Sequence, residues 1–332
     1  MDQSLERFAR RHNAPHWRYL RSIRCDCFEP PAAGAPAYTA ASPNAAPRLN
    51  DLLAALLLGL IEGLTEFLPV SSTGHLLIAQ HWLGPQSDLF NIVIQSGAIL
   101  ALLLVFRARL RDLMMRWRQP EQFDYLLKLG TAFAVTAAVG LPIRKLGWEL
   151  PETVWPVAIA LILGGIAMLA IERVVEARQA RMAVSADADG AAMTAANLAN
   201  AMPAVSWNVA VWVGLAQVLA GVFPGTSRSA AAIFAAMLAG LWARPQAAEF
   251  AFLLGIPTMF AASAWALLEY AGNPAAPRED WAALAVAFVA AALTGFVVVR
   301  WLLAFVKTRR FTVFAIYRIV LGVLLLLFLP GQ

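Results

Sequence analysis

Residues 62–75 read Glu-Gly-Leu-Thr-Glu-Phe-Leu-Pro-Val-Ser-Ser-Thr-Gly-His and interrupt an apolar segment that extends over 51–83. Each half of this segment is too short to cross the hydrocarbon core of a bilayer comfortably, which takes about 17–25 helical residues. We therefore predict two half-helices joined by a polar loop. The segment 206–241 has the same design, with Pro-Gly-Thr-Ser-Arg-Ser at 224–229 in its middle. The sequence thus predicts two re-entrant hairpins.

The composition indicates that both hairpins lie in a membrane. Hydrophobic residues make up 60% of the 332 residues and charged residues only 14%, whereas soluble domains contain about 45–50% apolar and about 25% charged residues. An ordinary soluble enzyme is therefore excluded. Six further apolar segments are long enough, or nearly so, to span a bilayer: 91–106, 126–143, 153–171, 248–268, 281–303 and 312–329. We predict an all-α polytopic integral membrane protein with six transmembrane helices plus two re-entrant helical hairpins.

A weak internal repeat relates the two hairpins. At one constant offset along the chain, Glu62 aligns with Gln217, Gly59 with Gly214, Pro69 with Pro224 and Ser72 with Ser227. Arginine-rich loops after the first and fifth spans are cytoplasmic by the positive-inside rule, which makes the hairpins enter from opposite faces. We predict inverted repeats over about 51–171 and about 206–330, joined by a cytoplasmic loop over 172–205. Broken helices at matching positions of inverted repeats indicate a site near the middle of the membrane.

The first fifty residues differ from the rest of the chain. They contain seven arginines and a Pro/Ala-rich run, without the apolar stretch of a signal peptide. We predict a disordered or weakly amphipathic basic extension over 1–50, followed by the membrane domain over 51–332. Cys25 and Cys27 are too close for an easy disulfide and too few for a zinc site. The predicted topology places this extension outside, so either it is absent from the mature protein or the topology is inverted.

Two carboxylates lie inside the first apolar segment. Glu62 and Glu66 are four residues apart and therefore share one face of a helix. Two close carboxylates in an apolar site either share a proton or hold a cation between them. A neutral, purely structural glutamate is the alternative, but ionisable residues within a membrane are functional by default. The residues therefore predict a functional carboxylate pair, with proton sharing and cation binding both open.

The polar loop of each hairpin contains further candidates. Ser71, Ser72 and Thr73 either cap the following half-helix or contact a substrate. His75 is either a buried structural histidine or a general acid or base, since histidine titrates closest to neutral pH. In the second loop, Arg228 requires an anionic partner, either a ligand phosphate or an internal glutamate. Weaker candidates are Glu249 and Arg318, each of which either reaches the site or extends to the membrane interface.

These motifs resemble the signatures of the undecaprenyl-diphosphate phosphatase (bacitracin-resistance) family. The resemblance rests on residues 62–75, on Phe-Pro-Gly-Thr-Ser-Arg-Ser at 223–229 and on Phe-Ala-Ile-Tyr-Arg at 314–318, and it covers about 51–330. It implies an inner-membrane hydrolase with two re-entrant hairpins in inverted repeats and an active site facing the periplasm. The implied reaction converts undecaprenyl diphosphate to undecaprenyl phosphate and phosphate, recycling the lipid carrier of peptidoglycan synthesis. The implied cofactor is a divalent cation, Mg²⁺ or Ca²⁺, and we expect Glu62 and Glu66 to be its ligands.

The residues and the resemblance together give a set of expected roles. We expect Glu66, Ser72, His75 and Arg228 to be catalytic, with the nucleophile left open between Ser72, His75 and water. The expected phosphate-binding residues are Ser71, Thr73, Gly225, Ser227, Arg228 and Ser229. Ala232 departs from the family, which usually has a threonine there, and the loss of one neutral hydrogen bond would weaken binding by about 1 kcal/mol.

The expected partners follow from the same argument. They are the polyprenyl diphosphate and membrane lipids, with a homodimer left open and no nucleic acid. The competing hypothesis is a polyprenyl-phosphate transporter or flippase, because inverted repeats with broken helices also describe carriers. Ser72 and His75 beside the carboxylate pair favour the phosphatase, since a carrier needs no nucleophile or acid–base group.

Overall fold

A computed structural model of the chain describes residues 49–147, 153–188, 205–276 and 278–329. Within these ranges the protein is all-helical, without a strand. The predicted extension, with Cys25 and Cys27, lies outside the described residues apart from its last two. The helices are α1 Leu49–Thr65, α2 Ser72–Leu83, α3 Asp88–Val105, α4 Arg107–Met115, α5 Pro120–Lys145, α6 Val154–Ala188, α7 Trp207–Val222, α8 Arg228–Leu238, α9 Arg244–Gly272, α10 Trp281–Thr308 and α11 Thr312–Phe328.

Five of these helices are long and apolar enough to cross a membrane, namely α3, α5, α6, α9 and α10. They coincide with five of the six predicted spans. The sixth predicted span, 312–329, corresponds to α11, which is apolar but has only 17 residues. An all-helical multi-pass membrane protein is therefore confirmed at this level.

Helix α6 is longer than predicted. It continues without a break to Ala188, through residues that the sequence analysis assigned to a loop beginning at 172. Its 35 residues correspond to about 50 Å at 1.5 Å per residue, more than a bilayer core requires. Two acidic residues stabilise the extra turns. Glu172 accepts a hydrogen bond of 3.0 Å from Arg244, and Glu176 forms an ion pair with Arg310, with 2.7 Å between Oε1 and Nε. Of the predicted loop, residues 189–204 lie outside the described ranges.

Both interrupted segments fold as two half-helices with a capped break. Helix α1 ends at Thr65 and α2 begins at Ser72, while α7 ends at Val222 and α8 begins at Arg228. Each second half-helix is capped by a serine with a left-handed backbone, Ser71 with φ of 75° and Ser227 with φ of 68°. The predicted alignment of Ser72 with Ser227 is therefore wrong by one residue, since the cap equivalent to Ser227 is Ser71. The second loop has one more residue than the first between its proline and its cap.

Close helix contacts connect each hairpin to the opposite half of the sequence. Gly59 of α1 lies directly against the backbone of Ala287 in α10, and Gly214 of α7 lies against the backbone of Ala132 in α5. A Cβ atom at either glycine would collide with a carbonyl oxygen. The two hairpins are thus each anchored on a membrane-spanning helix of the other half.

Candidate active site

The two hairpin loops meet inside the protein. Ser229 of the second motif donates a hydrogen bond of 3.1 Å from Oγ to the carbonyl oxygen of Leu68 in the first. Beside this contact lies a small cavity to which both motifs contribute. Its polar lining consists of Glu66, Gln217, Arg228 and Ser229, with Ala232 and apolar residues completing the wall. The predicted carboxylate and the predicted arginine therefore face one space.

Glu66 forms the first half of this site together with Ser72. The side chain is 9% exposed, and Ser72 Oγ donates a hydrogen bond of 2.6 Å to its Oε2. The break between α1 and α2 makes this contact possible, because it brings the first residue of α2 back to the last turn before the loop. When a hydroxyl donates a hydrogen bond to a carboxylate, the carboxylate can accept its proton as the hydroxyl oxygen attacks. The pair is suited either to activate Ser72 or to orient Glu66.

Glu62 lies deeper than Glu66. It is 0% exposed and sits one turn earlier on α1. Among the described residues that line the small cavity, Glu66 is present and Glu62 is not. The i, i+4 spacing therefore places the two carboxylates on one helix, but only Glu66 faces the cavity shared with Arg228.

His75 is held between two oxygen atoms. Its Nδ1 lies 2.7 Å from the carbonyl oxygen of Ser71, and its Nε2 lies 2.7 Å from the hydroxyl of Tyr317. Because a carbonyl oxygen can only accept, Nδ1 carries a proton, and in the neutral ring Nε2 accepts a hydrogen bond from the hydroxyl of Tyr317. The two rings are stacked with centroids 5.7 Å apart. His75 does not line the cavity of Glu66 and Arg228 in the described structure.

The second motif forms a chain of hydroxyl groups. Ser227 Oγ lies 3.1 Å from Ser229 Oγ and caps α8 by accepting from the N–H of Ala230. Since the single proton of Ser229 Oγ goes to Leu68, Ser227 is the donor in the serine pair. The guanidinium of Arg228 forms no salt bridge with any carboxylate in the described part of the chain. An ion pair with Glu66, one of the two internal alternatives, is therefore not found among the described residues.

Two remaining candidates from the motifs have different surroundings. Thr73 is half-buried in the first turn of α2. Gly225 has a φ of 87° and lies so close to α6 that a Cβ would sit 2.6 Å from the carbonyl oxygen of Val157. The loop therefore requires glycine at this position.

Helix α11 contributes two residues that the motifs alone did not place. Tyr317 contacts His75 in the first hairpin, and the next residue, Arg318, donates to the carbonyl oxygens of Gly225 at 3.0 Å and Thr226 at 2.9 Å in the second. In the sequence, the arginine within an apolar helix was the signal that Arg318 has a functional role. Its target could not be derived from the sequence, because the partners lie more than 90 residues away.

Comparison with known proteins identifies the family. The profile described as "Bacitracin resistance protein BacA" matches residues 55–324. The chain belongs to the BacA family. It is 57% identical over 283 residues to a protein of Xanthomonas oryzae pv. oryzae named undecaprenyl-diphosphatase, a match that covers 85% of this chain and 99% of the relative. Proteins of the same name from Xanthomonas campestris pv. campestris and Rhizobium etli are 55% and 54% identical, over 85% and 83% of this chain and 100% and 96% of theirs.

The BacA match includes every residue of the candidate site. It also includes Glu249, which the structure places elsewhere. Glu249 accepts a hydrogen bond of 2.9 Å from Arg109, and the same guanidinium lies over the ring of Tyr125. Glu249 thus joins α9 to α4 at the periphery and does not line the cavity.

Proposed function

We propose that the chain hydrolyses undecaprenyl diphosphate to undecaprenyl phosphate and inorganic phosphate. The observation that carries the proposal is the meeting of Glu66, Ser72, Arg228 and Ser229 where the two hairpins join. The names of its BacA-family relatives support the substrate. The reaction returns the lipid carrier to peptidoglycan synthesis, and it confers resistance to bacitracin.

Arg228 and the second loop bind the terminal phosphate in this proposal. The guanidinium presents a planar fork of donors that matches phosphate oxygens. Ser227 and Ser229 lie beside it, Gly225 lets the backbone turn closely, and the start of α8 adds N–H groups. We propose Ser71 and Thr73 of the first loop as further phosphate-binding residues. This arrangement neutralises the charge that develops on the departing phosphoryl group.

Glu66, Ser72 and His75 manage the attack. Either water or Ser72 Oγ forms a bond to the terminal phosphorus while the bond from that phosphorus to the bridging oxygen breaks and undecaprenyl phosphate leaves. If Ser72 attacks, Glu66 takes its proton and water later releases phosphate from the serine. His75 is the alternative nucleophile, and otherwise it moves the proton, with Tyr317 fixing its ring.

A divalent cation, Mg²⁺ or Ca²⁺, fits these residues only together with the substrate. No group of three or more His, Cys, Asp or Glu side chains is arranged to hold a metal within the described ranges. Mg²⁺ commonly binds through one or two carboxylates plus substrate phosphates. Glu66 supplies one such carboxylate at the cavity, and we propose Glu62, one turn earlier on α1, as the second ligand. A bound cation would neutralise charge on the phosphate oxygens.

An apolar groove beside the second hairpin suits the polyprenyl chain. Helices α6, α7 and α8 line a groove of about 1260 Å³, which reaches Pro224, Thr226 and Arg318 at the loop. A groove that ends at the phosphate-binding loop can hold a hydrocarbon tail while the diphosphate lies at the hairpin tips.

The membrane arrangement that we propose is two inverted repeats with six spans, counting α11, and two re-entrant hairpins. The reciprocal contacts of Gly59 and Gly214 support a two-fold relation. Gly165 lies against Ala315 and Gly322 against Ala158, so α6 and α11 run antiparallel, as equivalent helices of inverted repeats must. The chain then resides in the bacterial inner membrane with its site facing the periplasm. A homodimer remains a prediction, and the candidate site is built from one chain.

The test is phosphate release from a polyprenyl diphosphate by the purified full chain. Wild type is compared with Arg228→Ala, each with and without EDTA. Release that depends on both Arg228 and a divalent cation is the expected result. A well-folded wild type that releases no phosphate with cation present would overturn the phosphatase and favour the flippase.

A further inference from the structure

A guanidinium without a carboxylate is buried at the centre of the α6–α11 contact. Arg318 is 0% exposed. It donates to four backbone carbonyl oxygens: Ala160 at 3.1 Å, Leu161 at 3.5 Å, Gly225 at 3.0 Å and Thr226 at 2.9 Å. Among the described residues it forms no salt bridge. A buried charge that only dipoles compensate is a poor source of stability, which indicates another reason for its presence.

Two of the four carbonyl groups belong to the loop before α8. In a trans peptide the C=O and N–H point in opposite directions. The bonds to Arg318 therefore turn the N–H groups of Thr226 and Ser227 away from α11. The N–H of Thr226 closes a turn on the carbonyl oxygen of Phe223 at 3.2 Å. The N–H of Ser227 directly precedes the first N–H groups of α8, which have no partner within the helix.

The loop that Arg318 holds is conformationally demanding. Gly225 and Ser227 both have left-handed backbones, with φ of 87° and 68°. This conformation is unfavourable for serine and persists only where the surroundings impose it. Arg318 bonds the two carbonyl groups that lie between these residues, which is where such a restraint is required.

Helix α6 contains a space for this guanidinium. A Cβ atom at Gly164 would collide with Nη2 and Cζ of Arg318. The side chain of Arg318 thus reaches the loop across the face of Gly164. This packing offers a way to displace Arg318 without altering any residue of the candidate site.

We infer that Arg318 is a positioning residue, which holds the phosphate-binding loop in the conformation that receives the terminal phosphate. Its guanidinium fixes the two peptide groups before Ser227. As a result, the N–H of Ser227, the side chain of Arg228 and Ser229 converge on one anion. The inference rests on the proposed function of that loop. It differs from a packing role, in which Arg318 would only join α6 to α11.

The experiment measures kcat, KM and the inhibition constant of inorganic phosphate for the full-length variants Arg318→Lys and Gly164→Ala. Lysine keeps the charge but cannot span both loop carbonyls and α6 at once, and alanine at 164 displaces the guanidinium. Because bonds to a charged donor are lost, we expect phosphate to bind about tenfold more weakly in both variants. The matched control is Arg300→Lys, an exposed arginine of α10 that lies over Phe296, which should leave the constants unchanged.

A second measurement separates positioning from folding. Arg318→Ala leaves a space that opens to the apolar groove, and added guanidinium ion should restore part of its activity. The positioning role is wrong if Arg318→Lys and Gly164→Ala lower only the melting temperature and phosphate inhibits both variants as it inhibits wild type. It is also wrong if guanidinium ion restores no activity in a folded Arg318→Ala variant. Wild type and Arg228→Ala are assayed in parallel. An inactive wild type would instead contradict the proposed function.

Discussion

Among the individual residues, the contact between Ser72 and Glu66 is the chemical centre of the candidate site. Its hydrogen bond of 2.6 Å gives a buried carboxylate one fixed partner and leaves the other oxygen for the cavity. The contact exists because Pro69 and the left-handed Ser71 reverse the chain within six residues. The motif alone predicted a functional carboxylate here, but not which of the two would face Arg228.

Replacing Glu66 by Gln tests this contact. The amide keeps the shape but is a weak proton acceptor and a poor cation ligand, so we expect kcat to fall by about 10²–10⁴-fold, the range for a lost general base. The matched control is Glu249→Gln, because Glu249 pairs with Arg109 outside the cavity. Retained activity in Glu66→Gln at saturating cation would exclude both roles.

Tyr317→Phe tests how His75 is oriented. The substitution removes the hydroxyl that donates to Nε2 and leaves the ring stacking in place. The loss of one hydrogen bond of about 1 kcal/mol should lower kcat about fivefold. Tyr270→Phe, which alters a hydroxyl near Glu279 instead, serves as the control. If His75→Gln abolishes activity while Tyr317→Phe leaves kcat unchanged, Tyr317 does not orient the histidine.

At the scale of elements, each hairpin depends on close packing against one helix. Gly214 of α7 has no room for a side chain beside Ala132, whereas Gly221 of the same helix has open space around it. The interrupted apolar pattern predicted two half-helices correctly, because chain breakers at their junction are visible in the sequence. The helix against which each one packs was not predictable, since that depends on contacts distant in sequence.

The substitutions Gly214→Ala and Gly221→Ala form a matched pair in one helix. The first forces a collision with a backbone carbonyl, and overpacking costs about 1–3 kcal/mol. The second should be neutral or slightly stabilising, because alanine is the better helix former. Thermal unfolding in detergent measures both. Equal melting temperatures for the two variants would show that the α5–α7 contact is not as close as described.

Blocking the groove along α8 tests where the hydrocarbon tail lies. Ala235 lines the groove two turns from the loop, and Ala235→Trp should raise KM for undecaprenyl diphosphate by about tenfold, as expected for overpacking of 1–3 kcal/mol. A short-chain prenyl diphosphate should be hydrolysed as by wild type, since its tail does not reach this depth. Ala261→Trp, on an exposed position of α9, is the control. Equal effects on both substrates would exclude the groove as the tail site.

At the scale of the whole molecule, α11 links the two halves through adjacent residues. Tyr317 contacts the first hairpin and Arg318 the second, so one short helix positions both loops. The lengths of the apolar segments, their polar interruptions and the charges of the loops predicted the spans and the paired loops. They missed the continuation of α6 to Ala188, because its polar turns are stabilised by Arg244 and Arg310 rather than by local sequence. They also missed the one-residue difference between the loops, since a cap is defined by backbone geometry.

If both hairpin loops form one catalytic site, Glu66 and Arg228 act on the same phosphate, and a double-mutant cycle measures their coupling. Values of kcat/KM are measured for wild type, Glu66→Gln, Arg228→Ala and the double variant, with cation saturating. Residues that act together on one phosphate are strongly non-additive. We therefore predict that the double variant loses far less than the product of the two single losses. Losses that multiply would mean that the two residues act independently, and would contradict a shared site.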